Sequence, residues 1–82
     1  MKTYQLRDWK INIQNKSMEA YNYVCDEKNL MISTKENDYI AFIEINQKEN
    51  LVLQKFPYFI QYKFYSEEKR LDIIILSDKQ HK

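Results

Sequence analysis

Glycine is absent from all 82 residues of this chain. The P-loop, the G-x-G-x-x-G dinucleotide fingerprint and the G-x-S-x-G nucleophile elbow each need a backbone that only glycine permits, so these three classes of site are excluded. Tight turns must instead use Asn and Asp, which tolerate positive φ best after glycine. Two polar clusters contain them, and we expect loops at 35–38 and 46–50.

Cysteine is nearly absent as well. Cys25 is the single cysteine, which excludes an intrachain disulfide and a zinc site built from several cysteines, and favours a reducing compartment. One cysteine and one histidine are too few nitrogen and sulfur ligands for a metal site, so we expect no metal and no cofactor. The chain shows neither a signal peptide nor an apolar run of about 18 residues, so we expect a cytoplasmic protein without a membrane partner.

Charge of one sign is not in excess. Thirteen Lys and Arg residues against twelve Asp and Glu give a formal charge of +1, which disfavours nucleic acid as a partner. Residues 79–82, the one dense basic stretch, are interpreted as a solvated tail. The composition is 44% hydrophobic and 15% aromatic, which predicts a folded chain, and 82 residues suffice for one domain over 1–82.

Three stretches predict strands before residue 50. Apolar and polar residues alternate over 9–14, where Trp9, Ile11 and Ile13 share one face. The stretch 39–45 fits a buried strand or one side of a helix, and its isoleucines favour the strand. A weaker strand candidate at 30–34 could pair with it across the turn at 35–38.

A helix is predicted over 17–28. Ser17 can serve as its N-cap and Glu19 lies in the first turn, while apolar residues recur at helical spacing at Met18, Tyr21 and Val24 or Cys25. The predicted fold class is therefore α+β, a single small domain with one curled antiparallel sheet of four to six strands and one main helix. Whether residues 15–50 hold one helix or two is left open.

The clearest pattern covers 51–76, where we predict a buried antiparallel β-hairpin around Phe56-Pro57-Tyr58. Pro57 cannot donate a ladder hydrogen bond, so it should lie at a bulge or strand start. A polar turn at 66–69 precedes a strand at 71–76 that is apolar on both faces and is therefore expected to be central. One face of the preceding strand is predicted to carry Tyr58, Ile60, Tyr62 and Phe64.

The run 53–62, followed by a charged turn and the apolar strand 71–76, resembles the C-terminal hairpin of the RelE/ParE toxin superfamily. Glu44-Ile45 also resembles that family's E-I-R-Y segment, without the arginine. The resemblance implies ribosome-dependent mRNA cleavage or gyrase inhibition. It also implies a site that binds a scissile phosphate, for which the candidates are Tyr62, Arg70, Lys79 and His81.

A structural interpretation competes with each candidate. Tyr62 can be a core residue, Arg70 and Lys79 solvated charges, and His81 part of a tail. Cys25 on an apolar helix face is more often a small core residue than a nucleophile. We therefore assign no catalytic residue, and whether the chain is an enzyme stays open, with a non-enzymatic role favoured.

Aromatic residues exceed what so small a core can enclose, so several rings should reach the surface, where they favour protein interfaces. The interface candidates are Tyr4, Tyr23, Phe59 and Tyr65. The favoured hypothesis is a small non-enzymatic module that binds a protein partner, such as an inhibitor of a host or defence protein encoded by a phage or mobile element. The alternative is a RelE/ParE-like toxin, and a homodimer is also open.

Overall fold

A computed structural model describes residues 1–77, which form a sandwich of two four-stranded β-sheets. The strands are β1 (Lys2–Leu6), β2 (Trp9–Asn15), β3 (Asn22–Cys25), β4 (Asn29–Ser33), β5 (Tyr39–Ile45), β6 (Leu51–Lys55), β7 (Ile60–Tyr65) and β8 (Arg70–Ile75). Sheet I has the order β1-β2-β8-β7, and sheet II has the order β3-β4-β5-β6. The predicted α+β class with one main helix is therefore wrong, because the helical part of residues 1–77 is one 3₁₀ turn at Ser66–Glu68. The predicted single antiparallel sheet is also wrong, because there are two sheets and β2 pairs with β8 in parallel.

Residues 17–28 contain a local turn and a strand where the helix was predicted. The Glu19 N–H donates to the Ser17 hydroxyl over 3.1 Å, and the Ser17 N–H donates to the Asn15 side-chain oxygen over 2.9 Å. Ser and Asn side chains that bond neighbouring backbone in this way offer the chain an alternative to a helix. The residue that looked like an N-cap thus closes a turn.

In strand β3, half-buried and exposed side chains alternate with a period of two, which competes with the helical spacing of the same residues. Tyr23 and Cys25 are half-buried, whereas Asn22 and Val24 are exposed. Tyr and Val favour strands over helices, and β3 pairs with β4 in antiparallel register from Asn22↔Ser33 to Cys25↔Leu30. Pairing with a neighbouring strand therefore outweighs a weak helical pattern.

The sandwich interior confirms the alternation predicted for 9–14. Trp9, Ile11 and Ile13 of β2 are buried, while Lys10 and Gln14 are exposed. Complete burial of one such aliphatic side chain contributes about 1.5–3 kcal/mol. The same core contains apolar side chains from both sheets, namely Leu6, Leu30, Ile32, Ala41, Ile43, Ile45, Phe59, Ile60, Leu71, Ile73 and Ile75.

The pair predicted from 30–34 and 39–45 is confirmed. Strands β4 and β5 are antiparallel neighbours, and the turn between them is closed by reciprocal contacts of Thr34. The Thr34 N–H donates to the Asp38 carbonyl over 2.9 Å, and the Asn37 N–H donates to the Thr34 carbonyl over 2.9 Å. Asn37 has a positive φ of 69°, as expected for a turn without glycine.

The prediction that Asn and Asp occupy the remaining left-handed positions is wrong at three sites. Arg7, Glu49 and Lys69 also have positive φ values, of 54°, 64° and 54°. In the loop at 46–50, Asn46 contributes its side chain instead, since its oxygen accepts the N–H groups of Lys48 at 2.9 Å and Asn50 at 3.0 Å. The asparagine therefore orders this loop while Glu49 adopts the strained backbone.

The hairpin predicted at 51–76 is correct in the strand pairing of its second half and wrong in its first half. Its predicted burial is wrong for β7, where Gln61, Tyr62, Lys63 and Phe64 are exposed. Strands β7 and β8 form an antiparallel hairpin, and β8 lies centrally between β7 and β2, as predicted. Strand β6, however, pairs with β5 in sheet II. Pro57 lies in the crossover between the sheets, where its carbonyl accepts the Ile60 N–H over 3.1 Å. The Phe56-Pro57-Tyr58 triplet therefore joins two sheets.

Candidate functional site: the edge of strand β7

Strand β7 presents an unpaired edge. Its one side pairs with β8, and no other strand of residues 1–77 lies along its second side. The Leu76 N–H donates to the Phe59 carbonyl over 2.9 Å. Because hydrogen-bonded positions alternate in an antiparallel pair, Phe59 and Lys63 direct their backbone groups toward β8, whereas Tyr62 and Phe64 direct theirs outward. The backbone of Tyr62 and Phe64 is thus open to a further strand.

The side chains of Tyr62 and Phe64 lie on the core-facing side of sheet I. They stand opposite Ile73 and Leu71, both of which are buried, and directly opposed residues share a face. At the margin of the sandwich, however, Tyr62 is 50% exposed and Phe64 is 37% exposed. The interpretation of Tyr62 as a core residue is therefore wrong, since half of its surface reaches solvent.

Edge-to-face contacts hold these rings in place. We call Phe56, Tyr62 and Phe64 the aromatic ridge. The ring centroids of Phe56 and Tyr62 are 5.1 Å apart, those of Tyr62 and Phe64 are 5.8 Å apart, and Phe64 meets the buried Trp9 at 5.9 Å. Each contact has the T-shaped geometry that aromatic quadrupoles favour. The ridge is therefore a fixed amphipathic surface anchored on the core.

Arg70 lies on the opposite face of sheet I, where its guanidinium is already paired with two carboxylates. The Arg70 guanidinium donates to Glu68 over 2.7 Å and to Asp72 over 3.2 Å, and it lies 4.0 Å from the ring centroid of Tyr65. Lys63 also lies over the Tyr65 ring, at 5.3 Å. Arg70 is thus not the plain solvated charge that the sequence suggested. The Tyr65 ring already contacts two cationic side chains of the same chain, those of Arg70 and Lys63.

A row of polar side chains continues from Asp72 across sheet I. The Asn12 amide donates to the Asp72 carboxylate over 3.0 Å, and the Thr3 hydroxyl donates to the Asn12 oxygen over 2.9 Å. Together with Arg70, these contacts connect β1, β2 and β8. These polar side chains bond to one another, and their contacts help to hold the three strands in register.

The residues proposed for a toxin site do not converge. Tyr62 is on the core-facing side of sheet I, whereas Arg70 stands opposite Tyr65 on the other side. Lys79 and His81 lie outside the described residues. Among residues 1–77, no three His, Cys, Asp or Glu side chains are grouped as metal ligands would be.

The remaining interface candidates have different environments. Tyr4 and Tyr23 stack at 5.9 Å where the outer strands of the two sheets meet, and Lys2 lies 5.6 Å from the Tyr23 ring. Burial raises the pKa of both phenols.

Phe59 is only 7% exposed and belongs to the core, so the expectation that its position would leave it at the surface is wrong.

Cys25 lies beside this tyrosine pair and is half-buried. Burial, together with the nearby Asp26 carboxylate, raises the pKa of its thiol. A nucleophilic cysteine needs the opposite, a lowered pKa in an electropositive setting. The environment of Cys25 therefore suits a structural thiol.

One signal in the sequence could have located the ridge. The strand at 60–65 alternates apolar and polar residues, whereas β8 is apolar on both faces, and such a contrast distinguishes an outer strand from a central one. The contribution of Phe56 could not have been found in this way, because Phe56 lies outside β7, in the crossover that follows β6.

Comparisons of the chain with protein-family models, with curated proteins and with solved structures return no match. The RelE/ParE resemblance stays a prediction from its quoted residues. Residues 15–50 form strands β3, β4 and β5 and the loops around them, so the structure has neither one helix nor two in this stretch. Over residues 1–77, no helix has the length and apolar character needed to cross a membrane.

Proposed function

We propose that this chain is a small non-enzymatic protein-binding module that holds its partner at the β7 edge and the aromatic ridge. One observation carries the proposal: Tyr62 and Phe64 combine outward-facing backbone groups with exposed rings. Edge strands with apolar surface invite association, and folded proteins normally cover or charge them. In residues 1–77 this edge has a single charge, on Lys63, and no cover.

The ring chemistry supports the same proposal. Tyrosine is over-represented among the residues that dominate binding energy at protein interfaces, because it buries a large apolar area and keeps a polar tip. The contacts among Phe56, Tyr62 and Phe64 hold the rings before a partner arrives, so little side-chain entropy is lost on binding. A preformed surface of this kind suits tight recognition by a small module.

An inhibitor is the form of this function that we would test first. A bound module blocks its partner when it covers a surface that the partner needs for another contact. The proposed target class is a host or defence protein, and the proposed source is a phage or mobile element. The size and near-neutral charge of the chain are compatible with this role.

The test uses selection of displayed bacterial genomic fragments and short random peptides on the wild-type protein. Clones are then measured against Tyr62→Lys, with Tyr39→Lys as the matched control, since Tyr39 is 57% exposed on sheet II. We expect Tyr62→Lys to weaken binding by about tenfold or more, as at an interface hot spot. Circular dichroism and thermal unfolding confirm that both variants fold.

Two outcomes contradict the proposal. One is that no selected clone depends on Tyr62. The other is that Tyr39→Lys weakens binding as much as Tyr62→Lys does, which would mean that any exposed tyrosine of this protein serves equally well.

A further inference from the structure

Resting on the proposed function, we infer that the partner binds as an extended segment that adds antiparallel to β7 as a fifth strand of sheet I. We further infer that this segment carries an acidic side chain opposite Lys63, with an apolar residue on each side of it.

The backbone defines a short receptive edge. Tyr62 and Phe64 each direct one N–H and one C=O outward, as the alternation set by the Leu76 to Phe59 hydrogen bond requires. The Ile60 N–H is already donated to the Pro57 carbonyl over 3.1 Å, and Ser66 begins the 3₁₀ turn. A partner strand therefore finds its hydrogen bonds at Tyr62 and Phe64.

The core-facing side of the edge requires apolar residues from the partner. Side chains opposite Tyr62 and Phe64 would share their face and lie against the aromatic ridge. Tyr62 is 50% exposed and Phe64 37% exposed, so a neighbouring strand would cover surface that is now in water. Burial of that surface favours Val, Ile or Leu at these positions of the partner.

The other side of the edge requires an acid. Within residues 1–77, Asp72 stands directly opposite Lys63 but bonds to Arg70 and Asn12, and the Lys63 ammonium lies over the Tyr65 ring at 5.3 Å with no carboxylate within ion-pairing distance. Arg70, on the same face, is already paired with Glu68 and Asp72. On the outward edge Lys63 occupies a non-hydrogen-bonded position, where opposing side chains approach most closely. A carboxylate there would form the ion pair that Asp72 does not form with Lys63.

A second copy of the chain fits this edge less well. If β7 pairs with itself so that Tyr62 and Phe64 are both fully bonded, Lys63 stands opposite Lys63 of the other copy, and like charges directly opposed are destabilising. A shift of the register by two residues in one direction places Tyr62 opposite Ser66 of the other copy. A shift in the other direction places Phe64 opposite Ile60. Ser66 has left the strand, and the Ile60 N–H is already used. A different, acidic segment is therefore the better occupant.

The test is amide hydrogen exchange by NMR with the peptide acetyl-Thr-Val-Glu-Val-Thr-amide. In the protein alone, the amides of Tyr62 and Phe64 should exchange fast and that of Lys63 slowly. The peptide should slow exchange at Tyr62 and Phe64 by about tenfold or more at saturation, since only a bonded amide gains protection. A peptide N-methylated on its β7-facing amides should give no protection.

The charge is tested by exchanging the central residue. Replacement of the peptide glutamate by lysine should weaken binding to the wild-type protein by about fivefold, the upper range for one cross-strand charge pair. The order of the two peptides should reverse with the Lys63→Glu variant. Lys55→Glu is the matched control, since Lys55 is an exposed lysine of sheet II, and it should leave the order unchanged.

The outcomes separate this inference from the proposed function. If either peptide shifts ridge resonances without protecting Tyr62 and Phe64, strand addition is wrong while binding at the ridge stands. The same holds if neither peptide binds but displayed clones still depend on Tyr62. If no clone depends on Tyr62, the proposed function itself fails. Protection that appears in the protein alone at rising concentration would identify a second copy as the occupant and overturn the acidic partner.

Discussion

The ring of Phe56 meets that of Tyr62 edge to face, with centroids 5.1 Å apart, although the two residues lie on different sides of the crossover between the sheets. Phe56 follows β6 of sheet II, and Tyr62 belongs to β7 of sheet I. The contact bridges the two layers at the margin where the edge is open. It makes the ridge a structural element as well as a candidate binding surface.

We expect Phe56→Ala to destabilise the fold by about 1–3 kcal/mol, somewhat below the cost for a fully buried phenylalanine, because Phe56 is only half-buried. The measurement is the free energy of unfolding from urea titration. Met18→Ala is the control, since Met18 is 98% exposed, and its effect should be within about 0.5 kcal/mol of zero. Equal effects of the two substitutions would show that the Phe56 contact does not stabilise the sandwich.

Glu49→Gly should stabilise the protein. A left-handed backbone costs a residue with a Cβ about 1–2 kcal/mol, and Glu49 has a φ of 64°. Part of this gain is offset by the greater freedom of glycine in the unfolded chain and by loss of the exposed ion pair between Glu49 and Arg7 at 3.4 Å. The net increase in unfolding free energy should be about 0.5 kcal/mol.

Asn37→Gly is the matched control for this prediction. Asn37 has a φ of 69°, but asparagine tolerates the left-handed region better than glutamate does. We expect its replacement to change the unfolding free energy less than that of Glu49. A greater gain at Asn37 would mean that backbone strain does not distinguish the two loops.

Stability should fall in acid partly through Asp26. Hydrogen bonds from the backbone N–H groups of Lys28 and Asn29, at 2.9 and 2.7 Å, lower the pKa of the Asp26 carboxyl below its ordinary value. A carboxyl whose pKa is lower in the folded state stabilises that state above the unfolded pKa, and the contribution disappears as pH falls through the folded pKa. The loss should therefore begin near pH ~4 and continue below it.

The measurement is the urea midpoint as a function of pH for wild type and Asp26→Asn. Asparagine keeps an oxygen that can accept both N–H groups but does not titrate, so the midpoint of the variant should fall less steeply below pH ~4. Asp38→Asn is the control, because Asp38 contributes backbone groups to its turn: its N–H donates to the Thr34 hydroxyl over 3.1 Å and its carbonyl accepts the Thr34 N–H over 2.9 Å. Identical slopes in wild type and Asp26→Asn would contradict the role of Asp26.

Cys25 should react slowly with iodoacetamide in the folded protein. Burial and the neighbouring Asp26 raise the pKa of the thiol, so the thiolate fraction at neutral pH is smaller than in the unfolded chain. The rate should rise as pH increases and should rise sharply in denaturing urea at constant pH. Mass spectrometry follows the modification, and a folded protein that reacts as fast as the unfolded one would contradict the burial argument.

The positions of several strands were predictable because their signals are local. The alternation at 9–14, the isoleucine-rich stretch at 39–45 and the doubly apolar 71–76 each correspond to an observed strand. The helix at 17–28 was not excluded by local signals, since Ser17 and the apolar spacing fit a helix as well as a turn. Strand β3 forms there in place of the helix because it pairs with β4, and helical spacing carries no information about that pairing.

The sequence by itself determined that this chain folds with strands, without glycine-based sites, and with a central strand at 71–76, because composition and side-chain period are properties of neighbouring residues. Only the tertiary structure decided that β6 pairs with β5 and not with β7, which places Phe56-Pro57-Tyr58 in a crossover between the two sheets. Strand β6 has a neighbour in sequence on each side, β5 across the loop at 46–50 and β7 across residues 56–59, and a local pattern does not decide between two such neighbours. The choice depends on how the two sheets pack over their shared core, and because β6 pairs with β5, the edge of β7 that holds Tyr62 and Phe64 stays open within residues 1–77.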